Sequence, residues 1–435
     1  MSYKIMTAAE AAAKVRSGDR VYVGTASSFA YELMDALWER KDELSDVTLL
    51  CSLSTKPSRI FGTKWEEGNP FRILTFFMGP WERIASRKNG VPLDYTSFHL
   101  SQVDLWCREV GKADICFMEM SRPDEEGYLS FGPSGCSLYT HLLETAREVY
   151  VEANARTPFI RGDRCTIHSS KVDGIILTDR DVPSLAPDEV DPISKQISEL
   201  VLKEIPDGAT LSLGVGGVPF TVAKMLAESD LKDLGCHTGT ISDAYLALYK
   251  AGKLTNRRKE VDTGFSTWNL AMGSRELYDW LEAEPHLFRP SDVDYVHSPE
   301  RMSQLSNFVG IMGGVQLDLM GQENAESAGK RQLSGIGGQL DFLEGAYRSK
   351  GGKGFVCLNS SRTDKDGNLK SNIVPFIPGG SVVSGPRTMI QYVATEYGVV
   401  KLSGLSLRER AEAMISVAHP AFRAELAQYA KDTFG

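Results

Sequence analysis

The sequence predicts an α/β protein made of two similar open α/β domains. Its 435 residues exceed what one hydrophobic core usually organises, so two domains are expected. A pattern of strand, glycine turn and helix also occurs twice, first near residue 20 and again near residue 210. A pattern that recurs at a fixed spacing is typical of a duplicated domain.

The two copies of this pattern are separated by a constant offset. In each copy a glycine turn precedes alternating apolar residues, a second glycine and an amphipathic helix. In the second copy a proline lies near the first helical turn, where its missing N–H is not needed. An offset of 190 in residue number relates Gly18 to Gly208, Val21 to Leu211, Val23 to Leu213 and Gly24 to Gly214.

The same offset relates a second strand of the first half to a polar segment. It carries the apolar residues 47–50 to His237-Thr238-Gly239-Thr240. Polar and small residues at the end of a strand are typical of a ligand site at the carboxyl edge of a parallel sheet. A strand that simply runs into a polar loop is the alternative interpretation.

A segment rich in proline and aspartate, residues 179–198, separates the two halves. Within it Asp191 is a suitable N-cap for a helix that continues through Ile193, Ile197 and Val201. We therefore predict an N-terminal domain over residues 1–185 and a C-terminal domain over residues 186–435.

Composition and charge exclude several classes of protein. The net charge is -9 and no run of Lys or Arg suggests a phosphate-backbone footprint, so we expect no nucleic-acid partner. No stretch approaches the ~20 apolar residues that span a bilayer, so no membrane partner is expected either. Seven cysteines without a CxxC pair indicate reduced thiols and a cytoplasmic location. The seven histidines lack HxxxH or HxH spacing, so we expect no metal.

Two glycine clusters in the second half are candidates for binding an anion or the oxygen of a thioester. The first lies between a predicted strand and a helix N-terminus, where N–H groups and the helix dipole attract negative charge. Ordinary structural turns are the alternative for each cluster. Neither cluster has the GxGxxG spacing of a dinucleotide fold, so we expect neither a nicotinamide nor a flavin cofactor. The candidate binding residues are Gly214, Val215, Gly216, Gly217, Val218, Ser334, Gly335, Gly337, Gly338 and Gln339, followed by Lys353.

Two carboxylates, Glu323 and Glu326, are candidates for acid or base chemistry. A solvated loop or a capping role is the alternative for both. Cys236 stands next to His237, but neighbouring side chains on a strand point to opposite faces. The two residues therefore cannot readily form a Cys–His catalytic pair, and we predict that Cys236 belongs to the core.

Several motifs together resemble the acetyl-CoA hydrolase/transferase family of CoA-transferases, particularly its 4-hydroxybutyrate and butyryl-CoA:acetate CoA-transferases. They are DEEGYLSFGPS at 124–134, LGVGGVP at 213–219, HTGTISDAYLALYKAGKLTN at 237–256, GQENAES at 321–327, SGIGGQLDF at 334–342 and VATEYGVVKLSGLSLRERAEAMISVAHPAFR at 393–423. The resemblance implies a duplicated CoA-transferase fold with the active site in the cleft between the domains. It further implies that the C-terminal domain binds most of the CoA and that the N-terminal domain faces the acyl group and carboxylate.

The resemblance also implies a covalent mechanism. In such transferases a glutamate attacks the acyl-CoA, and the enzyme then carries CoA as a glutamyl thioester before passing it to a second acid. The family places this glutamate third in a His-Thr-Glu or His-Ser-Glu motif. Here the motif reads His237-Thr238-Gly239, so the position of the nucleophile is a glycine. The candidate catalytic residues are Gly239, His237, Thr240, Glu323 and Glu326.

Three hypotheses about function follow, in this order of preference. The first is a CoA-transferase that exchanges CoA between a short-chain acyl-CoA and a carboxylic acid through another carboxylate or a direct ternary mechanism. The second is a thioester hydrolase or lyase that activates water, and the third is a catalytically silent acyl-CoA-binding protein. We expect coenzyme A, as an acyl-CoA substrate, to be the ligand, and a homodimer to be the assembly.

Overall fold

The computed structural model describes residues 3–109, 111–135, 139–185, 190–214 and 216–435. The chain forms two compact units. The first consists of Met1–Leu185 and Asn269–Tyr295, and the second of Ala186–Trp268 and Val296–Gly435. Residues 269–295 therefore belong to the first unit, whereas the sequence predicts a second domain that runs unbroken from residue 186.

Residues 3–185 alternate between strands and short helices. The strands are β1 (Arg20–Thr25), β2 (Val47–Ser52), β3 (Phe71–Thr75), β4 (Leu93–Tyr95), β5 (Ile115–Ser121), β6 (Tyr128–Ser130), β7 (Glu148–Asn154), β8 (Thr166–His168) and β9 (Gly174–Thr178). The α-helices are α1 (Ala8–Ala12), α2 (Tyr31–Trp38), α3 (Arg59–Gly62), α4 (Pro80–Asn89), α5 (Val103–Glu109) and α6 (Tyr139–Thr145).

The central sheet of the first unit has the order β4-β3-β2-β1-β5-β7-β9, and its neighbouring strands are parallel. Its middle strands are buried on both faces, as parallel strands covered by helices usually are. Val21 and Val23 pack into one hydrophobic cluster, whereas Tyr22 between them packs into another. This alternation places one apolar core on each face of the sheet.

Residues 190–435 contain the remaining elements. The strands are β10 (Thr210–Leu213), β11 (Gly235–Ile241), β12 (Ser266–Ala271), β13 (Phe288–Pro290), β14 (Phe308–Gly313), β15 (Gln316–Asp318), β16 (Glu323–Asn324), β17 (Ser327–Ala328), β18 (Arg331–Gln332), β19 (Lys353–Cys357), β20 (Ser361–Thr363), β21 (Leu369–Ser371), β22 (Ile373–Val374), β23 (Tyr392–Thr395) and β24 (Gly398–Lys401). The α-helices are α7 (Pro192–Leu202), α8 (Gly217–Glu228), α9 (Asp243–Lys250), α10 (Arg275–Ala283), α11 (Val293–Val296), α12 (Pro299–Met302), α13 (Gln339–Arg348), α14 (Leu407–Ser416) and α15 (Arg423–Phe434).

The sheet of the second unit repeats the arrangement of the first. Strands β11, β10, β14, β19 and β23 are neighbours in that order and pair in parallel, and β24 adds an antiparallel edge. This order corresponds to β2-β1-β5-β7-β9 of the first unit, so the prediction of two similar α/β domains is confirmed. Asp191 caps α7 as predicted, because its carboxylate accepts the N–H groups of Ile193 and Ser194.

The repeat is not uniform along the chain, and the predicted equivalence of the second strands is wrong by three residues. In the first unit Val21 pairs with Leu49, and in the second its counterpart Leu211 pairs with Cys236. The residue equivalent to His237 is therefore Leu50, the next along the strand. The chain between the paired residues, which contains α2 in the first unit and α8 in the second, differs in length and explains the shift, because a connection accepts insertions that a paired strand does not.

Within the described parts of the chain, no helix is both long enough and apolar enough to cross a lipid bilayer.

Candidate functional site

The parallel strands of the second unit bring several chain segments to one edge of its sheet. Strands β10, β11, β14 and β19 all end at this carboxyl edge, where ligands bind in open α/β sheets. The LGVGGVP loop starts at the end of β10, Gly313 is the last paired residue of β14, and Gly314 comes directly after it. Candidate residues that are distant in sequence are therefore assembled along this edge.

His237 is the third residue of β11 and is fully buried. Its Nε2 atom is 2.9 Å from the carbonyl oxygen of Val296. A carbonyl only accepts hydrogen bonds, so Nε2 carries the proton, and Nδ1 has no partner among the described residues. Burial is the main cause that lowers the pKa of His237 to about 3, and the residue is a neutral imidazole at physiological pH.

Gly239 leaves space that the imidazole of His297 occupies. A Cβ atom added to Gly239 would lie 2.8 Å from Nε2 of His297, and one added to Gly338 would lie 2.5 Å from the same atom. His297 is only 2 % exposed, and its ring packs against Phe342 with 4.9 Å between ring centroids. The two glycines and His297 therefore form a tightly packed group at the end of β11.

The first glycine loop leads directly into helix α8. Gly216 has φ +135°, a conformation that side chains rarely adopt, and a Cβ there would meet no atom within 4 Å. It is the N-cap of α8, and a glycine has no side chain with which to cap that helix end. Gly214, Gly217 and Val218 are half-buried beside it, whereas the predicted binding residue Val215 lies outside the described residues. The loop presents backbone N–H groups at an open helix N-terminus.

The second glycine loop leads into helix α13 in the same way. Gly337 has φ +57°, and Gly338 is the N-cap, again without a side-chain cap. Gln339, the first helical residue, donates from Nε2 to Oε1 of Glu323 at 2.6 Å. Earlier in the loop, Ser334 and Gly335 continue the backbone from the β18 hairpin. The structure thus joins the second glycine loop to one of the two candidate carboxylates.

Glu323 and Glu326 are buried, so the alternative of a solvated loop is wrong for both. Glu323 is 0 % exposed, and burial together with repulsion from Glu326 raises its pKa to about 8 against the opposing hydrogen bond from Gln339. Burial also raises the pKa of Glu326. One carboxyl oxygen of each residue, Oε2, has no hydrogen-bond partner in the described part of the chain.

Lys353 does not belong to this group, and its predicted place beside the glycine loops is wrong. It is the first residue of β19 and pairs with Val309 near the start of β14, which places it toward the opposite, amino-terminal edge of the sheet. Its Nζ atom donates to the carboxylate of Glu204 at 2.6 Å. Thr240, by contrast, follows Gly239 on β11 and is half-buried.

Cys236 is a core residue, as predicted. It is fully buried, and burial raises the pKa of its thiol to about 12, so a thiolate nucleophile is not available at neutral pH.

A histidine between two aspartates occurs in the first unit. His141 lies with Nδ1 2.8 Å from Asp104 and Nε2 2.9 Å from Asp294. Among the described residues these three have a spacing that suits metal ligands. One imidazole nitrogen lies near each carboxylate, and hydrogen bonding to Asp294 raises the pKa of His141.

The first unit also contains a cavity that the sequence did not indicate. It encloses about 390 Å³, part of it open to solvent, and is lined by residues from both chain portions of this unit, including Ala271 of β12 and Tyr278 of α10. Ser27 and Thr55 provide hydroxyl groups, and Lys56 is the charged residue of the lining. A small carboxylate is a ligand that such a lining suits.

His297 is the residue of the second unit that sequence reasoning missed. It has no motif around it, and its importance follows only from the space beside two glycines that are separated by 99 positions, residues 239 and 338. A histidine without a partner motif carries no signal in one sequence.

Comparisons with known proteins agree with this architecture. Residues 2–187 match the family model of the acetyl-CoA hydrolase/transferase N-terminal domain, and residues 273–430 match that of the C-terminal domain. Butyryl-CoA:acetate CoA-transferase of Anaerostipes caccae is 39% identical over 430 residues, which cover 97% of this chain and 95% of that protein. The 4-hydroxybutyrate coenzyme A transferase of Clostridium kluyveri is 36% identical over 433 residues, with 99% and 98% covered.

Among solved structures, RipA from Yersinia pestis superimposes with a TM-score of 0.88 at 32% identity, covering 99% of this chain and 97% of RipA. The match therefore covers nearly all of both units. The chain therefore belongs to the acetyl-CoA hydrolase/transferase family.

Proposed function

We propose that this protein is an enzyme that transfers CoA between a short-chain acyl-CoA and a carboxylic acid. The observation that carries the proposal is the pair of glycine loops in the second unit, each of which opens a helix with a glycine at its N-cap. Relatives at 36% and 39% identity that are named as CoA-transferases support this choice of chemistry over hydrolysis. We further propose a cytoplasmic homodimer.

The acyl-CoA binds along the glycine loops. Backbone N–H groups at the start of α8 and α13 stabilise negative charge, whether on a phosphate of CoA or on the thioester oxygen as it becomes an oxyanion. Removing one such donor typically lowers kcat by a factor of about 10² to 10³. The proposed contacts are Gly214, Val215, Gly216, Gly217, Val218, Ser334, Gly335, Gly337, Gly338 and Gln339.

Neutral His237 has a positioning role in this scheme. Its Nε2–H holds the carbonyl group of Val296, the residue before His297. Because His297 packs against Gly239 and Gly338, this hydrogen bond fixes the arrangement of β11 relative to the loop that opens α13. Thr240, Glu323 and Glu326 complete the polar groups proposed for the site.

The test is an assay of CoA exchange. Purified protein is incubated with butyryl-CoA and isotopically labelled acetate, and labelled acetyl-CoA is measured by mass spectrometry. We expect labelled acetyl-CoA to form in proportion to enzyme. Release of CoA as free thiol, equal with and without acetate, would identify a hydrolase, and butyryl-CoA binding without turnover would identify a silent binding protein.

A matched pair of variants tests the glycine loop itself. Gly216 and Gly252 both have positive φ and open space around a Cβ, but Gly252 lies in the turn after α9, away from both glycine loops in sequence. We expect Gly216→Ala to raise the KM for butyryl-CoA at least about tenfold and Gly252→Ala to leave it unchanged. Equal effects of the two substitutions would indicate a general loss of structure.

A further inference from the structure

One carboxyl group of the second unit is buried without a counter-charge. Glu323 is 0 % exposed, and none of the described Lys, Arg or His side chains forms an ion pair with it. Its Oε1 atom accepts a hydrogen bond from Gln339, and its Oε2 atom has no partner among the described residues. A glutamate that serves only packing is unfavourable in such a place, because an apolar side chain or an amide avoids the unpaired oxygen.

The surroundings of Glu323 are fitted closely to its carboxyl group. A Cβ added to Gly314 would lie 3.0 Å from Oε1, and one added to Gly385 would lie 2.7 Å from Oε2. Glycine at these two positions therefore leaves room for the two oxygens. The backbone of Glu323 is held on the same side, since its N–H donates to the carbonyl of Gly385 at 2.9 Å.

Glu323 also lies beside the group that replaces the family's nucleophile. Its hydrogen-bond partner Gln339 directly follows Gly338, and the imidazole that packs against Gly338 packs against Gly239 as well. Gly239 and Glu323 are thus both linked to the start of α13, Gly239 through His297 and Glu323 through Gln339. Gly239 has no side chain that can attack a thioester, whereas Glu323 supplies a carboxylate next to the SGIGG loop.

On the basis of the function proposed above, we propose that Glu323 is the nucleophilic carboxylate of this enzyme. The acyl-CoA reaches it past Gly313, which is exposed and has no atom near a Cβ position, once the half-buried side chain of Gln339 turns aside. Burial raises the pKa of Glu323, so its anion, once the proton is lost, is more basic than that of an exposed glutamate and a stronger nucleophile toward the thioester carbon.

The reaction then proceeds in two balanced halves. An oxygen of ionised Glu323 attacks the thioester carbon, the C–S bond breaks, CoA leaves as a thiolate, and the acyl group remains on Glu323 as a mixed anhydride. The thiolate attacks the carbonyl carbon of Glu323 itself, which releases the first carboxylate and leaves a glutamyl-CoA thioester. The acceptor carboxylate attacks that thioester, and the same two steps in reverse order deliver its acyl-CoA.

The experiment is to trap the intermediate in the full-length protein. Wild-type enzyme is mixed with butyryl-CoA, quenched separately with hydroxylamine and with borohydride, digested and mapped by mass spectrometry. We expect a hydroxamate and a reduced residue, respectively, at Glu323. An adduct at Glu326 or Asp243, or none at any carboxylate while CoA exchange proceeds, would overturn the assignment.

Glu323→Gln provides the second readout, with Glu82→Gln as its control. Glu82 is likewise fully buried with a raised pKa, but it belongs to the first unit and bonds to Ser54. We expect Glu323→Gln to lower kcat by on the order of 10³ or more, and Glu82→Gln to stay within about tenfold of wild type. Exchange retained by a folded Glu323→Gln variant would also overturn the assignment. If the wild type exchanges no CoA at all, the proposed function fails instead.

Discussion

The Nε2 atom of His297 lies 2.8 Å from the place where residue 239 would carry its Cβ atom. A non-bonded contact this short does not persist between a real Cβ and a ring, so any side chain at 239 has to displace the imidazole. Gly239 and His297 therefore depend on each other. The glycine at 239 therefore affects the packing of the site as well as its chemistry.

We expect Gly239→Glu alone to fail as a restoration of the family's nucleophile. Displacing buried His297 overpacks the site and lowers the free energy of unfolding by about 1–3 kcal/mol, with no gain in CoA exchange. Combined with His297→Ala, the same substitution recovers stability and yields a trappable adduct at residue 239. Urea unfolding and peptide mapping measure the two effects.

The matching control is Gly239→Gln with His297→Ala, which fills the same space without a nucleophilic carboxylate. It should regain stability but give no adduct at 239. A stable and active Gly239→Glu single variant would contradict the packing argument.

Stability should decrease with pH because of Glu323. Its pKa is raised from 4.5 to about 8 in the folded protein, so the folded state holds a proton that the unfolded state releases. The resulting stabilisation is complete below pH 4.5 and is lost as pH rises toward 8, by on the order of a few kcal/mol. Glu326 and the thiol of Cys357 are the titratable groups coupled to it.

Urea unfolding of wild type and Glu323→Gln at a series of pH values checks this. Between pH 5 and 8 the free energy of unfolding of the variant should rise relative to that of the wild type. Above pH 8 the difference between the two free energies should stay constant. A difference independent of pH would show that Glu323 is ionised in the folded state throughout.

His237 should make the free energy of unfolding increase with pH in the acidic range, opposite to the effect of Glu323. Its pKa falls from 6.5 to about 3 on folding, so the unfolded state binds more protons between these values and stability rises with pH across that window. We expect His237→Phe to remove this dependence and to cost about 1–3 kcal/mol at pH 7, because the Val296 carbonyl loses its donor. Nitrogen NMR should show neutral imidazole for His237 down to pH 5, and a signal that titrates near 6.5 would contradict the prediction.

Lys56 should affect the acceptor acid more than the acyl-CoA. It is the charged residue in the cavity of the first unit, and losing a hydrogen bond to a charged group weakens binding by about 1.5–3 kcal/mol. We expect Lys56→Met to raise the KM for acetate about tenfold or more with little change in the KM for butyryl-CoA. Lys64→Met, at an exposed position, is the control. An equal change of the KM for acetate in both variants would show that the cavity does not bind the acceptor acid.

The sequence predicted the fold better than it predicted the site. The repeat of Gly18 and Gly208 indicated the duplicated sheet, because turns and buried strands leave local patterns. The first glycine loop was predicted at the correct helix start for the same reason, whereas the helix that follows the second glycine loop was not predicted. The three-residue error around His237 and the wrong place of Lys353 have one cause, since a strand's register and the edge at which a residue lies depend on pairing partners that are distant in sequence.

The residues next to Glu323 in the sequence likewise did not predict that its side chain is buried. The segment GQENAES is polar throughout, which favours a solvated loop, and only the tertiary structure closes Gly314 and Gly385 over it. The packing of His297 against Gly239 and Gly338 brings together three segments that are distant in sequence. Properties of this kind arise from packing across the fold and have no local pattern.

Residues 269–295 are part of the first unit, so that unit can be completed only after the ribosome has synthesised them. Val293 belongs to its hydrophobic core, and Asp292 and Asp294 bond to Arg164 and His141. A ribosome that has released only residues 1–185 has therefore not yet supplied these parts. More than a hundred further residues must be synthesised before the core of the first unit can be covered completely. At ordinary elongation rates this takes about 5–20 s. During that time a chaperone would have an apolar surface to bind.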